Sequence, residues 1–189
     1  IDEGDEQYRA FLARLDAQDT DDSPKPSLAS GEIFPTDAAL ALTASGPCRM
    51  GWGFSRYDGK GRVINARAET LLEKPMFLGP MHNGRCLIPA AGYFEWEHVG
   101  TEKRRYRLWP EDGGLCCFAA LSRAEPGALL PLFTIVTMPA AEGIRFVHER
   151  MPVILPPEAR EEWLCCKDPV AAARSLQSAQ RRICVAPCG

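Results

Sequence analysis

The sequence has 189 residues and a net charge of −3, with 46% hydrophobic and 25% charged residues. That length suits about one domain, and the composition is typical of a globular chain and excludes a disordered one. The longest apolar run, 115–121, is far shorter than the ~18 residues that a membrane-spanning helix needs, which excludes such a helix. The weak negative charge excludes a broadly basic nucleic-acid-coating protein but leaves room for a local basic cleft.

An amphipathic helix is the first predicted element. Over residues 4–18, Tyr8, Phe11, Leu12 and Leu15 recur on one helical face. Residues 19–31 are rich in Asp, Ser and Pro and predict a loop. Short extended segments then follow at close intervals, at 38–43, 50–54, 62–65, 85–88, 92–98, 104–109, 115–121 and 132–137. Residues 58–61 and 111–114 between them have the composition of hairpin turns.

The last third of the chain predicts three helices, over 140–146, 156–166 and 168–177. The last of them has Asp168 as its N-cap and Pro169 at the first helical position. Many strands precede the helices without regular strand–helix alternation. This order favours an α+β fold, with a curled, mainly antiparallel, barrel-like sheet and peripheral helices. We expect a single domain over residues 1–189.

The cysteines are too few for a disulfide scaffold, since the sequence has eight of them. They show neither Cys-x-x-Cys spacing nor a histidine at zinc-site spacing. We therefore expect mostly reduced, mostly buried thiols in a cytoplasmic protein, and the start of the chain has no secretion signal. The spacing of Cys184 and Cys188 leaves a metal or regulatory role open.

No phosphate loop, dinucleotide fingerprint or hydrolase motif is present, so chemistry must come from scattered polar residues in apolar settings. Glu95 is flanked by aromatic residues, and on a strand it shares a face with Tyr93, while Phe94 and Trp96 take the other face. Such a glutamate is either an ordinary solvated carboxylate or an acid whose pKa is raised by desolvation into the range useful for proton transfer.

His148 and Asn65 are likewise open to two interpretations. His148 is either a hydrogen-bonded structural residue or a catalytic group. Asn65 closes a predicted strand, where it is either an N-cap or a site residue. Arg67, Arg85 and Arg150 are candidates for a phosphate-binding cleft, while residues 103–105 fit a solvated hairpin end.

Six segments taken together resemble one known family. In chain order they are WGF (52–54), INARAET (64–70), RCLIPA (85–90), GYFEW (92–96), FTIVT (133–137) and HERMPVIL (148–155). They are similar to the motifs of the SRAP family, the SOS response-associated peptidase domain. The similarity runs from about residue 31 to residue 164. The fold that the resemblance implies, an α+β domain around a curled antiparallel sheet, agrees with the element order.

The resemblance implies recognition of abasic sites in single-stranded DNA and covalent cross-linking to them. The bond forms through an N-terminal cysteine that is exposed when the initiator methionine is removed. Its α-amine condenses with the aldehyde of the opened deoxyribose, and its thiol closes a thiazolidine ring. In this scheme Glu95 is the acid–base, His148 hydrogen-bonds or protonates the sugar oxygen, and Asn65 orients the cysteine.

The resemblance also implies residues that hold the DNA. Arg67, Arg85 and Arg150 match backbone-binding arginines of the family, and charged contacts of this kind contribute about 1–3 kcal/mol each. Trp52 and Thr137 are expected to contribute to the pocket or to strand contacts. The expected partner is single-stranded DNA with abasic sites, bound by a monomer in the cytoplasm at the nucleoid, with no membrane, metal or organic cofactor involved.

The sequence departs from the family at its start. The family begins Met-Cys-Gly-Arg, whereas this sequence begins at Ile1. None of the eight cysteines can replace the missing one, because the thiazolidine needs a thiol and a free amine on the same terminal residue. We therefore expect the native protein to have an activity that these 189 residues lack. Residues 55–57 also differ from the Pro and Trp of many relatives, and the tail after residue 164 matches poorly.

Two other functions remain open. A cysteine, a histidine and an asparagine are also the groups of thiol proteases. Here we expect at most self-removal of the initiator methionine, without turnover of other proteins. A non-covalent single-stranded DNA-binding module is the other alternative.

Overall fold

The computed structural model describes residues 6–18, 26–178 and 182–188. Its α-helices are α1 (Glu6–Gln18), α2 (Pro75–Asn83), α3 (Pro157–Cys165) and α4 (Pro169–Ser175), and short 3₁₀ turns occur at Ala68–Thr70, Glu142–Ile144 and Leu176–Ser178. The strands are β1 (Ala38–Thr43), β2 (Gly46–Trp52), β3 (Phe54–Ser55), β4 (Arg62–Val63), β5 (Asn65–Arg67), β6 (Arg85–Ala90), β7 (Tyr93–Val99), β8 (Glu102–Pro110), β9 (Cys116–Arg123), β10 (Leu132–Pro139), β11 (Arg150–Pro152) and β12 (Ile183–Pro187).

A seven-stranded sheet forms the centre of the molecule, in the order β11-β10-β2-β1-β6-β9, with β5 also paired to β10. Strand β10 pairs with β9 as well, so the sheet curls back on itself. Its pairings are antiparallel except that β10 runs parallel to β2 and to β5. A separate three-stranded antiparallel sheet has the order β12-β8-β7, and β3 and β4 form a small hairpin. The predicted α+β class with a curled, mainly antiparallel sheet is confirmed.

The two faces of the large sheet bury different clusters, because successive strand residues point to opposite sides. One face, which we call the helix face, carries Leu40, Leu87 and Val136 and packs against residues of α1, α2, α3 and α4. The other, which we call the front face, carries Phe118 and Phe133 among smaller residues. Many of the residues packed at the edges of the front-face cluster are only partly buried. The α-helices pack on the helix face, and the front-face cluster includes no α-helical residue among those the structure describes, so a site for a large ligand is more accessible on the front face.

The three-stranded sheet packs on the front side through a small third cluster. Leu108 of β8 is buried there together with Ile144 and Met151. Partly buried Tyr93 and Tyr106 pack against the same cluster. This cluster fixes the position of strand β7 relative to the segment that leads from the 3₁₀ turn at Glu142–Ile144 into β11.

Most predicted elements lie where the sequence placed them, although some boundaries and connections differ. The predicted helix over 140–146 is only the 3₁₀ turn Glu142–Ile144. The turn at 111–114 does not close a hairpin, because β8 and β9 belong to different sheets. Helix α2 and strands β11 and β12 were not predicted. Residues 4–5 of the first predicted helix and 19–25 of the predicted loop lie outside the described residues. Among the described residues, no helix has the length and apolarity needed to cross a membrane.

The predicted N-cap of α4 is confirmed and can be tested. The Asp168 carboxylate accepts a hydrogen bond from the Val170 N–H at 2.8 Å. Replacing it with alanine, Asp168→Ala, removes this cap, and we expect a loss of about 1 kcal/mol of unfolding free energy. Urea denaturation measures this loss. Asp168→Asn, which keeps the side-chain acceptor, should lose less; equal losses in both variants would contradict a capping role.

Candidate active site

Glu95 lies in the middle of β7 with its side chain turned toward the front face. It shares this side with Tyr93, whose ring meets Phe118 of the front-face cluster edge-on at a centroid distance of 5.9 Å. Burial raises the pKa of the Glu95 carboxyl, and the charge of His148 and the backbone N–H of Trp96 partly oppose that rise. The predicted sharing of faces is therefore confirmed, and the raised pKa fits the interpretation of Glu95 as a desolvated acid.

His148 lies at the end of the segment that leads into β11, close enough to Glu95 for its charge to oppose the rise in the Glu95 pKa. Its Nδ1 lies 3.0 Å from the backbone nitrogen and 3.1 Å from the backbone oxygen of Arg150. A neutral ring accepts from that N–H, and a ring protonated at Nδ1 donates to that carbonyl, so both states have a partner. Among the described residues, Nε2 has no hydrogen-bond partner and stays available to a ligand. The ring can therefore gain or lose a proton without losing its orientation.

Asn65 and Arg67 lie on the short strand β5, alongside β10. Asn65 pairs in register with Ile135 and Arg67 with Thr137, so their side chains share the side that carries the front-face cluster. Both side chains are exposed, while Ala66 between them is buried on the helix face. Asn65 is thus part of a strand and not the N-cap of a helix.

Arg150 is held by a set of hydrogen bonds on the same side. Its guanidinium forms a two-pronged ion pair with Glu69, with nitrogen–oxygen distances of 2.6 and 2.9 Å. One of its nitrogens also donates to the backbone oxygen of Thr137 at 2.7 Å. Arg150 lowers the pKa of Glu69 by hydrogen bonding, and the charge of Arg67 lowers it further. Glu69 therefore links the two arginines, and Thr137 acts here by holding Arg150.

Trp52 lies next to Asn65, at the end of β2. Its ring is stacked on Phe133 with a centroid distance of 6.1 Å, and its indole N–H donates to the Ile64 carbonyl at 3.1 Å. The ring is only half-buried. Strand β10 runs along the site. Its residue Phe133 pairs with Trp52 at one end, and its residue Thr137 contacts Arg150 at the other. Trp52 therefore borders the end of the site that is farther from His148.

The expectation that Arg85 binds phosphate is wrong. Arg85 lies on β6 with Leu87, on the helix face, and is only 8% exposed. Its guanidinium donates to the carbonyl oxygens of Met81 and Cys166 and, at 2.5 Å, of Trp163. These carbonyls are at the C-terminal ends of α2 and α3, where helices leave unpaired acceptors and a partial negative charge. Arg85 therefore joins two helix ends and is not available to DNA.

A cavity of about 400 Å³ lies beside Arg85, away from Glu95. It is lined by the loop between β1 and β2 and by the ends of α2 and α3, including His82, Cys165 and Lys167. The site residues on the front face do not line it. The residues predicted for chemistry thus lie on an open surface and not in this cavity.

Two residues of the site were not among the sequence candidates. Glu69 is part of the INARAET motif. Its position two residues after Arg67 was the one feature of the sequence that could have indicated an interaction with the arginines of the site. Tyr93 was named only as a neighbour, but it shares a side with Glu95, and its buried hydroxyl has no hydrogen-bond partner among the described residues. Burial and the nearby Glu95 raise the pKa of Tyr93. Its hydroxyl is therefore a neutral donor close to Glu95.

The cysteines are free thiols in the structure, but they are less buried than predicted. Cys86, Cys116 and Cys117 are buried, Cys165 is exposed, and the others are intermediate. Burial raises the pKa of Cys48 to about 11, which keeps it protonated near neutral pH. Among the described residues, no group of three or more His, Cys, Asp or Glu side chains is placed to hold a metal ion.

The raised pKa of Glu95 predicts a pH-dependent effect of Glu95→Gln on stability. Between the ordinary glutamate pKa of about 4.3 and the raised pKa of the native state, the unfolded chain has released this proton while the native state still holds it, so the wild type loses stability as the pH rises through this window. Glutamine carries no such penalty. We expect the variant to be more stable than the wild type at pH 7–8 and to lose this advantage near pH 3.5. Denaturant titrations across this range measure it, and a pH-independent difference would contradict desolvation of Glu95.

The fold and the site define a class of protein: an α+β domain with a glutamate–histidine pair beside an arginine-bearing strand. A family model described as SOS response associated peptidase (SRAP) matches residues 5–187, and the chain belongs to this family. Abasic site processing protein YoaM of Bacillus subtilis is 34% identical over 172 residues, which cover 83% of this chain and 76% of YoaM. Abasic site processing protein YedK of Escherichia coli is 32% identical over 84% of this chain and 74% of its own length.

Other relatives are matched over a shorter part. Abasic site processing protein YobE of Bacillus subtilis is 41% identical over 107 residues, and the match spans about half of it, 49%. Among solved structures, a phage-related protein from Bordetella bronchiseptica has a TM-score of 0.71 and 29% identity, covering 88% of this chain and 86% of that one. A protein from Bacteroides thetaiotaomicron also has a TM-score of 0.71, at 25% identity, covering 80% of this chain and 74% of its own.

Proposed function

We propose that this protein acts on abasic sites in single-stranded DNA and forms a covalent thiazolidine with them through an N-terminal cysteine. Membership of the SRAP family and the names of the relatives support a role in abasic-site processing. The observation that carries the proposal is the electrostatic interaction of Glu95 with His148 on the accessible front side. Burial raises the pKa of this glutamate, while His148 can hold a proton in either of two ways.

The reaction needs proton transfer at the sugar and releases one water. The opened deoxyribose presents an aldehyde, and the cysteine α-amine, with a pKa near ~8, is partly unprotonated at neutral pH. The amine adds to the aldehyde carbon, and protonation of the resulting hydroxyl by Glu95 lets it leave as water, giving a Schiff base that is protonated on nitrogen. The thiol sulfur then adds to the same carbon, and the nitrogen keeps its one proton in the thiazolidine. The thiol proton returns to the Glu95 carboxylate, either directly or through His148, so that no net proton is consumed.

The remaining site residues position the DNA and the cysteine. Exposed Asn65 offers a carboxamide beside the reacting groups, which can orient an amine by hydrogen bonding. Arg67 is exposed on the same strand, where a phosphate group of the DNA can reach it. Arg150 contributes its charge from a fixed position, but its ion pair with Glu69 offsets part of that charge. Arg67 is therefore the stronger candidate for a direct phosphate contact.

The test compares two chains with single-stranded DNA that contains one abasic site. One is the 189-residue sequence, and the other is the same sequence preceded by Met-Cys-Gly-Arg. On a denaturing gel, we expect a retained shift for the second chain only. A matched chain preceded by Met-Ser-Gly-Arg has no thiol on its terminal residue and should give no stable adduct. A retained shift for the shorter chain would contradict the thiazolidine.

Two other outcomes of the same experiment would replace the proposal. Cleavage of added casein would indicate a protease that acts on other proteins. A shift on a native gel but not on a denaturing gel, with both chains, would indicate a non-covalent single-stranded DNA-binding module.

A further inference from the structure

The cavity of about 400 Å³ beside Arg85 is not used by the proposed reaction. We call it the Arg85 cavity. Its volume lies within the range of small-molecule sites, about 300–1,000 Å³. Three separate parts of the chain form its wall: the turn between β1 and β2, the end of α2 with the start of β6, and the segment around the end of α3. A molecule bound there therefore contacts residues that are far apart in sequence.

Basic side chains line the Arg85 cavity without acidic ones. His82, Arg85 and Lys167 line it, and none of the lining residues that the structure describes is Asp or Glu. Among the described residues, no salt bridge includes any of these three bases. The carboxylate of Asp168, which follows Lys167 in sequence, accepts the backbone N–H of Val170 instead. The positive charge at this cavity is therefore not balanced by a carboxylate within the described part of the chain.

The two helix ends beside the cavity act against an anion, and Arg85 offsets them. Each helix C-terminus carries roughly half a negative elementary charge. The guanidinium of Arg85 donates to carbonyls at both ends, so its single positive charge balances these two partial charges. Lys167, which is exposed, then leaves a net positive charge, and His82 adds to it when protonated. The cavity as a whole therefore favours an anionic ligand.

The other polar groups of the cavity suit a molecule with several hydroxyl groups. Ser45 and Asn83 line it with exposed side chains. The Ser122 hydroxyl donates to the Gly84 carbonyl at 2.9 Å, which leaves its lone pairs to accept a hydrogen bond. Among the described lining residues there is no Phe, Tyr or Trp on which a nucleobase could stack. The volume is also larger than a phosphate group alone fills.

We propose that the Arg85 cavity binds a sugar phosphate. Lysine is a common phosphate ligand, and a phosphate accepts hydrogen bonds on more sides than a carboxylate does, which suits donors that come from three parts of the chain. Lys167 donates to the phosphate, Arg85 contributes its charge from a buried position, and Asn83 and Ser45 bind the sugar hydroxyls. This inference is independent of the proposed function, because the residues of the front-face site do not line the cavity.

The probe is glucose 1-phosphate, which has no free aldehyde to react with amines. Its binding to the 189-residue chain is measured by titration calorimetry, and we expect one molecule to bind per chain. Methyl glucoside, which lacks the phosphate, should bind at least about tenfold more weakly. Lys167→Met removes a charged donor and should weaken binding of glucose 1-phosphate about 10- to 100-fold. Ser45→Glu places a carboxylate at the cavity and should weaken it at least about tenfold.

Two controls locate the bound molecule. Lys60→Met makes the same change at an exposed lysine in the turn between β3 and β4, outside the cavity lining, and should alter the affinity less than about twofold. Cys165 is exposed and lines the cavity, so glucose 1-phosphate should slow its alkylation by iodoacetamide. Alkylation of Cys188, which is not among the lining residues, should not change. Peptide mass spectrometry measures both rates, and circular dichroism checks that each variant is folded.

Several results would overturn the inference. Absence of binding by the wild type, or wild-type affinity in folded Lys167→Met, would do so. Binding that is weakened by Arg67→Glu but not by Lys167→Met would place the sugar phosphate on the front face. Equal affinity for methyl glucoside or for inorganic phosphate would show that the phosphate or the sugar is not recognised. Absence of DNA adducts in the cysteine-bearing chain, with Cys165 still protected by glucose 1-phosphate, would refute the proposed function and leave this inference supported.

Discussion

Arg85→Met is expected to destabilise the protein by about 3–5 kcal/mol. The guanidinium satisfies three backbone carbonyls at the ends of α2 and α3. Each buried acceptor left without a donor costs about 1–3 kcal/mol, and methionine fills the space without replacing any donor. The lost charge also removes a favourable interaction with two helix C-termini. For a domain of this size, the midpoint of thermal unfolding should fall by about 10 °C.

The control for this prediction is Arg104→Met. Arg104 is exposed and pairs with Glu102 at 3.4 Å at the surface, where such pairs contribute about 0–1 kcal/mol. Arg85→Lys should lie between the wild type and Arg85→Met, because an ammonium keeps the charge but cannot reach all three carbonyls with a planar fork. Unchanged stability in Arg85→Met, together with weaker DNA binding, would restore the role of Arg85 as a phosphate ligand.

Arg85 shows why the site could be only partly predicted from the sequence. The motif around it is similar to the family, and an arginine in such a motif suggests phosphate binding. Strand alternation places it with Leu87 on the helix face, but only the packing of α2 and α3 shows which carbonyls it meets. Helix α2 itself was not predicted, because Gly79 and Pro80 interrupt its helical pattern.

The alternation of side chains along a strand was sufficient to predict which residues of the same strand share a side. The side that Glu95 shares with Tyr93 follows from a period of two, and the structure confirms it. The interactions between Glu95 and His148, and between Arg150 and Glu69, join residues far apart in sequence. No periodicity encodes such pairs. The family resemblance named Glu95, His148 and Arg150 without showing how they meet, and it did not name Glu69. Strand β12 was missed for the same reason, since its partner within the described part of the chain is the distant strand β8.

The ion pair between Arg150 and Glu69 changes the expected electrostatics of the site. The sequence suggested three arginines in one cleft. The structure instead places Arg85 on the helix face and pairs Arg150 with the Glu69 carboxylate. The positive charge close to Glu95 is therefore modest. With little positive charge nearby, burial is the main influence on the pKa of Glu95. Burial raises this pKa, because it disfavours the ionised carboxylate. A denser cluster of arginines would have opposed this rise in the pKa of Glu95 more strongly.

Glu95→Gln is expected to slow covalent adduct formation about 100-fold or more in the cysteine-bearing chain. Proton transfer by a positioned side chain contributes about 10²–10⁴-fold to a rate, and glutamine has no proton to exchange. The amide has nearly the same shape, so binding of the same DNA without an abasic site should change little. Single-turnover adduct formation at saturating DNA measures the chemical step, and anisotropy measures binding.

Glu97→Gln is the matched control, because Glu97 lies on the same strand and the same side as Glu95. Its carboxylate accepts a hydrogen bond from the Tyr106 hydroxyl at 3.0 Å, and glutamine keeps an acceptor there. Adduct formation by this variant should stay close to the wild-type rate. Equal losses of binding and rate in Glu95→Gln would indicate a structural role for Glu95. Equal slowing in both variants would indicate that the negative charge of β7, and not a proton on Glu95, matters for the reaction.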